Sequence, residues 1–287
     1  MQTDCFFCHL RTLEKQIKKF APPEEVRKQL VGEFIDKYTG LQKQYNPYAA
    51  AAIHAMIRKY LKVEDPYELE KAESNRKAIE IVKEWRKILD QTSNKAYEAI
   101  KLALAANIID FGPGHKFDIA IDIGKLQKQE LAIDDSSSLF TSIKNKTKVL
   151  YLADNAGEIV FDKLFLEQIA YADITVAVRG FPVINDATMK DANIAGLQDV
   201  AKVIHNGNDA PSTLLDRCSA EFMNEYREAD VIIAKGQGNF EGLMFDKDPR
   251  IYFALVAKCE VIANFIGIEK NQTALLNSRR VDKTKKA

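Results

Sequence analysis

At 287 residues, 46% hydrophobic and 29% charged, the chain has room for two domains, or for one large α/β domain with an appendage, and the balance of an ordinary globular protein. Lys plus Arg and Asp plus Glu number 41 each, so no net field draws it to nucleic acid or to an anionic membrane. No apolar run nears the roughly 20 residues of a membrane span. Charges interrupt the start of the chain where a signal peptide would lie, and the scattered cysteines make no disulfide framework, which together point to the cytoplasm.

As far as Ala106 the only glycines are Gly32 and Gly40, and the stretch reads as a series of helices. Cys5-Phe-Phe-Cys8-His9 opens the first; a zinc site wants four ligands and no second C-x-x-C exists, so a buried or redox-inert pair is expected. Pro22-Pro23 breaks that helix and starts the next, Glu24 to Tyr38, where Val26, Leu30, Phe34 and Ile35 recur at helical spacing. Asn46-Pro47 opens a third, Tyr48 to Leu61. Asp65-Pro66-Tyr67 opens a fourth, which Ser74-Asn75 either interrupts or carries on into Arg76 to Leu89. Asn94 to Ala106 is Ala-rich and apolar on most sides, hence the most buried of the set. Asn107-Ile-Ile-Asp110-Phe-Gly-Pro-Gly then places a boundary, dividing a helical domain over 1–115 from a second domain over 116–287. By themselves Asn107 and Asp110 read as C-cap and turn residues, and Asp134-Asp135-Ser-Ser-Ser as a cap or loop.

From Lys148 onward short apolar runs alternate with helical stretches. Strands are expected at Val149 to Ala153, Ile174 to Val178, Ala201 to Ile204, Val231 to Ala234 and Glu260 to Ala263. Helices are expected at Ile159 to Ala170, Ala187 to Ala195, Ser212 to Glu228 and Arg250 to Ala257. Such alternation predicts a Rossmann-like three-layer αβα domain with a mostly parallel sheet. Basic residues from Arg279 to Lys286 form a solubilising tail.

Each strand delivers polar side chains to one edge: Asp154-Asn155, then Arg179-Gly180 leading to Asn185-Asp186, then His205-Asn206-Gly207, then Lys235-Gly236-Gln-Gly-Asn239-Phe-Glu241, then Asn264. In open α/β sheets ligands bind at that edge. Loop-forming tendency accounts for the Gly and Asn, but not for Asp, Arg and Lys gathering there. Asp154, Asp186 and the Asn155 carbonyl are a hard, oxygen-only ligand set, suited to Mg²⁺ or Mn²⁺. Lys235, in a Gly-rich turn, is suited to cradling a phosphate. Neither a Walker A loop nor a dinucleotide fingerprint is present.

Taken together, Asp154-Asn-Ala-Gly-Glu158, Arg179-Gly-Phe-Pro-Val-Ile-Asn-Asp186-Ala-Thr and Lys235-Gly-Gln-Gly-Asn-Phe-Glu241 resemble the damage-control phosphatase family, and most closely its small free-standing microbial branch. The resemblance extends to Cys5-x-x-Cys8, Asn46-Pro-Tyr, Asp65-Pro-Tyr with Lys71, Ser74-Asn75 and Asn107-x-x-Asp110-Phe-Gly. It implies a helical N-terminal domain on a Rossmann-like domain, and a phosphatase acting on small phosphorylated metabolites such as sugar phosphates. It also implies a divalent ion (Mn²⁺, Mg²⁺, Co²⁺ or Ni²⁺) held by Asp154, Asn155 and Asp186, with Lys235 on the phosphate. Asn107, Asp110, Glu158, Arg179, Asn185, Asn239 and Glu241 are the further candidates for lining the substrate site. The attacking group is a polarised water or the Asp154 carboxylate. Two other classes stand beside this one: a carboxyl methyltransferase using S-adenosylmethionine, and a non-catalytic phosphate-metabolite-binding module.

Overall fold

The computed structural model of the chain describes residues 2–108, 123–125 and 127–281. Helices fill the first part: α1 (Thr3–Phe20), α2 (Glu24–Leu41), α3 (Asn46–Leu61), α4 (Glu68–Asp90) and α5 (Lys95–Ile108). Pro23 is the N-cap of α2, as its fixed φ suits, and α2 runs past Tyr38 through Gly40. Ser74-Asn75 does not interrupt α4. Ser74 Oγ donates back to Glu70 O at 2.7 Å and the Asn75 amide bonds to partners outside the helix, so neither competes for the helix's own ladder.

Apolar packing divides this region between α3 and α4, well ahead of residue 115. Leu13, Leu30, Phe34, Ile53 and Ile57 give α1–α3 a cluster of their own. Ala78, Leu89, Ile100 and Leu104, from α4 and α5, belong instead to the cluster beneath the sheet. In α5 every side chain from Ala99 to Asn107 except Lys101 is buried, as its composition suggested.

Among the described residues the sheet has seven strands, in the order β1-β7-β6-β5-β2-β3-β4. These are β1 (Ile133–Asp134), β2 (Lys148–Leu152), β3 (Asp173–Val178), β4 (Lys202–His205), β5 (Val231–Lys235), β6 (Ile251–Val256) and β7 (Thr273–Asn277). All pair in parallel except β6 with β7. The helices between them are α6 (Ser136–Ser142), α7 (Glu158–Gln168), α8 (Met189–Ala195), α9 (Ala220–Glu228), α10 (Gly236–Leu243) and α11 (Glu260–Ile266). Side chains alternate with the strand period of two. Tyr151, Val176 and Ile233 face α4, α5 and α7, whereas Leu150, Leu152 and Ile232 face α9, α10 and α11. The outcome is a three-layer αβα arrangement with a mostly parallel sheet and a helical N-terminal part.

Two assignments near the end are exchanged. Arg250 to Ala257, expected as a helix, is strand β6, and Glu260 to Ala263, expected as a strand, lies in helix α11. Ile-Tyr-Phe-Ala-Leu-Val is six fully buried residues between β5 and β7, a run whose periodicity alone cannot separate strand from buried helix. Glu260 follows an extended N-cap at Cys259, and Gly267 ends the helix at φ 89°, a left-handed stop that only Gly adopts freely. Asn264 therefore sits in a helix, not on the strand edge. Likewise Gly236-Gln-Gly-Asn is the first turn of α10 rather than a loop, and Ser212 to Ser219 precede α9.

The strand order runs outward from β2 through β3 to β4 on one side and through β5 to β6 on the other. The reversal between β2 and β5 opens a crevice at the carboxyl ends of those two strands.

Candidate active site

Asp154 and Asn155 follow β2 at that crevice, and Asp186 reaches it from the long connection after β3. Backbone pairing holds the two segments together: Ala187 N–H donates to Asp154 O at 2.7 Å, and Asn155 bridges Asp186. Ile184, just before Asn185-Asp186, sits at φ 45°, an uncommon conformation for a β-branched residue and a mark of a tightly determined turn. Across the switch point the chain comes so near that a Cβ on Gly236 (φ 77°) would stand 1.9 Å from Asp154 Oδ2. Only glycine fits there.

The hydrogen bonds leave one oxygen over on each of three residues. Asp154 Oδ2 accepts from Asn107 Nδ2 at 2.9 Å and Asn155 Nδ2 at 2.7 Å. Asn155 Nδ2 also donates to Glu158 Oε2 at 2.9 Å, which leaves Asn155 Oδ1 as its available acceptor. Asp186 Oδ2 accepts from Arg179 Nε at 2.6 Å. Arg179 is 1% exposed; its Nη1 donates to Asn239 Oδ1 at 3.0 Å, while its buried Nη2 has no hydrogen-bond partner and lies 3.8 Å from Asp154 Oδ1. Burial, reinforced by Asp154, pushes Asp186 up to about 7 against the pull of Arg179. Burial and the Glu158 carboxylate push Asp154 up as well. The group is short of positive charge, and Asn107 Oδ1, also buried, is a further unpartnered oxygen beside it.

Lys235 does not face this space. Its Nζ, fully buried, donates to Glu158 Oε1 at 2.5 Å, Asp162 Oδ1 at 2.6 Å and Ala103 O at 3.3 Å, so all three donors are occupied. Burial pushes Glu158 up, but this ammonium and the Asn155 amide hold it below the usual carboxylate range, while burial leaves Asp162 raised to about 7. Asn239 is likewise internal: its Nδ2 donates to Leu152 O, Ala153 O and Lys235 O and so ties α10 to the end of β2. Glu158 is the hub of the inner layer, taking Lys235, Asn107 and Asn155 together.

A cleft of about 310 Å³ separates the acids from α1 and α3. Asp154, Asn155, Asn185 and Asp186 form its floor, Asn46, His9 and His54 its helical wall, and Gln237, Glu241 and Lys258 one end. Glu241 accepts from Asn46 Nδ2 at 2.6 Å and Gln237 Nε2 at 2.7 Å, joining the two walls. Lys258 is exposed, its charge acts on both Asp154 and Glu158, and its ammonium makes no ion pair among the described residues. Reading Arg250 to Ala257 as a helix hid it; as a strand parallel to β5 and β2, that run puts Lys258 on the same sheet edge as Asp154 and Asn155. Asn75, read from the sequence as a possible helix break and as part of the family resemblance, accepts at Oδ1 from Gly157 N at 2.7 Å and donates from Nδ2 to Asp191 at 2.9 Å. Lys71 joins Asp191 at 2.9 Å, so α4 pins the turn that follows Asn155. Asp110 lies outside the described residues. A larger, more open depression of about 700 Å³ beside Arg58 and Phe181 contains none of the acid–amide set.

Residues 1–273 match the family model described as the damage-control phosphatase ARMT1-like domain. The chain belongs to this family. Among damage-control phosphatases it is 34% identical to one from Pyrococcus horikoshii over 97% of this chain and 98% of that protein. It is 33% identical to another from Archaeoglobus fulgidus, over 92% of this chain and 94% of the relative. The crystal structure of a DUF89 family protein from P. horikoshii superposes with a TM-score of 0.87 at 32% identity, covering 97% of this chain and 99% of that one.

Proposed function

We propose that the chain is a divalent-metal-dependent phosphatase that hydrolyses phosphomonoesters of small metabolites, sugar phosphates or related damaged compounds. The observation that carries it is the convergence of Asp154, Asn155 and Asp186, each with an oxygen left over, opposite the ammonium of Lys258, which makes no ion pair among the described residues. The naming of two relatives as damage-control phosphatases supports the same reading.

The residues fit a hard cation. Among the described residues no three His, Cys, Asp or Glu side chains gather as a metal site, and the donor set here is two acids and an amide. That is oxygen-only, with room for water and substrate to complete a shell. Mn²⁺, Mg²⁺, Co²⁺ or Ni²⁺ bound there supplies Lewis-acid polarisation of a phosphoryl oxygen. Arg179 fixes the two carboxylates from behind, and Glu158 orients the amides of Asn155 and Asn107. Lys258 balances charge on the phosphoryl oxygens, the part first expected of Lys235, so catalysis is mainly positioning and electrostatics. The Gly157 N–H, bonded to Asn75, is not open to an adenosyl group, which favours this reading over a methyltransferase.

Asp154→Ala abolishes turnover of an aryl phosphate, and EDTA does so reversibly on adding Mn²⁺ or Co²⁺. Hydrolysis that survives both treatments rules the assigned centre out. Trapping a phosphorylated enzyme distinguishes Asp154 from water as the attacking group.

A further inference from the structure

Three of the four cysteines converge from two distant segments. Cys5 and Cys8, one turn apart on α1, and Cys259, the N-cap of α11, line a single cavity of about 330 Å³. This cavity adjoins the substrate cleft, with which it shares Cys8, Asn46, Gln237, Glu241 and Lys258. Cys218 lies elsewhere, against Asn208 and Leu214. All four are thiols. Cys259 Sγ accepts from Gln237 Nε2 at 3.5 Å, and Cys259 and Glu241 both lie near enough to Cys5 and Cys8 to add to the upward push that burial gives those two thiols. Cys8 is the exposed member; burial, with Cys259 and Glu241 nearby, pushes its thiol up, and Arg11 opposes that.

We propose that Cys8 and Cys259 form an oxidation site whose disulfide staples α1 to the start of α11 across the mouth of the cleft and shuts substrate out. Hydrogen peroxide is the oxidant: the Cys8 thiolate attacks one of its oxygens, the O–O bond breaks, and a sulfenic acid forms as the departing hydroxide takes a proton and leaves as water. Cys259 then attacks the sulfenyl sulfur, its proton leaves with the departing hydroxide as a second water, and the S–S bond forms. Reduction by a dithiol returns both thiols. The bond would hold in place the two walls that Asn46 and Glu241 already join, immediately beside Lys258.

The staple rests on the cavity that the two thiols share, whereas its effect on turnover rests on the phosphatase reading. The full chain, reduced and metal-loaded, is treated with hydrogen peroxide, its remaining thiols are capped, and it is digested with trypsin without reduction. Cleavage after Arg11, Lys258 and Lys270 puts Cys5 and Cys8 in peptide 1–11 and Cys259 in peptide 259–270. The expected product is these two peptides joined through Cys8, with loss of aryl phosphate turnover that dithiothreitol reverses. Cys259→Ser keeps its turnover under peroxide. A disulfide closed within peptide 1–11, a link through Cys5 or Cys218, no link at all, or full turnover by the linked protein each overturns the proposal. Should the reduced protein hydrolyse no phosphate ester, the phosphatase reading falls and the peptide map still decides the staple.

Discussion

Replacing Lys235 by Met separates a phosphate-binding lysine from a buried one. The side chain is fully buried and its ammonium touches two carboxylates, themselves 1% exposed, at 2.5 and 2.6 Å. Removing one partner of such a group strands buried charge and costs about 3–5 kcal/mol, a large part of the roughly 5–15 kcal/mol that holds a domain folded. Urea unfolding followed by circular dichroism is expected to show that loss as a lower midpoint at unchanged slope. Adding Asp162→Asn to the variant removes one stranded carboxylate and restores part of the stability, about 1–3 kcal/mol in a double-mutant cycle. Lys258→Met is the contrast: removing an exposed ammonium that makes no ion pair among the described residues leaves stability within about 0.5 kcal/mol. Its loss removes a charged contact of about 1.5–3 kcal/mol to the phosphate, lowering kcat/KM about 10- to 100-fold. A Lys235→Met protein of unaltered stability with weakened substrate binding, or a fully active Lys258→Met protein, refutes the assignment of roles.

Gly236→Ala places a Cβ 1.9 Å from Asp154 Oδ2 and must also hold φ 77°, so turnover of an aryl phosphate is expected to fall at least about 100-fold while circular dichroism shows a folded chain. Asn75→Ala frees the Gly157 turn and leaves Asp191 one donor short, which costs about 1–3 kcal/mol in thermal or urea unfolding. Burial lowers His9 to about 4, and burial with the nearby Arg58 charge lowers His54 to about 3, so both fold as neutral rings. Their stabilisation is complete above the ordinary value near 6.5 and is lost as pH falls through the folded values. Between about pH 5.5 and 4.5 each contributes a slope of up to about 1.4 kcal/mol per pH unit. His54→Gln is expected to flatten the pH dependence of the urea midpoint by its share; an unchanged slope argues against a neutral His54.

The sheet and the ends of β2, β3 and β5 were legible in the sequence because each is a short apolar run followed by charged or amide residues, a pattern with few readings. β6 and α11 were not, because a fully buried strand has no polar face to betray its period. That exchange concealed Lys258. That Asp154, Asn155 and Asp186 share one edge was legible from their place after strands and their chemistry, both local properties. The ion pairs of Lys235 were not legible for the opposite reason: its partners Glu158 and Asp162 are more than seventy residues away along the chain, and nothing beside it announces that its charge is already balanced. Asn75 and Asn46 act across the same kind of distance.

The place where apolar packing changes hands decides how the chain can be cut and recombined. A fragment beginning after residue 115 lacks α4 and α5 and bares the apolar side of α7 and the part of the sheet that they cover, an invitation to aggregate. The separable piece is the bundle of α1–α3, which has its own oily centre and supplies His9, Asn46 and His54. Exchanging only that bundle between relatives would therefore graft a new selectivity onto an unaltered reaction centre.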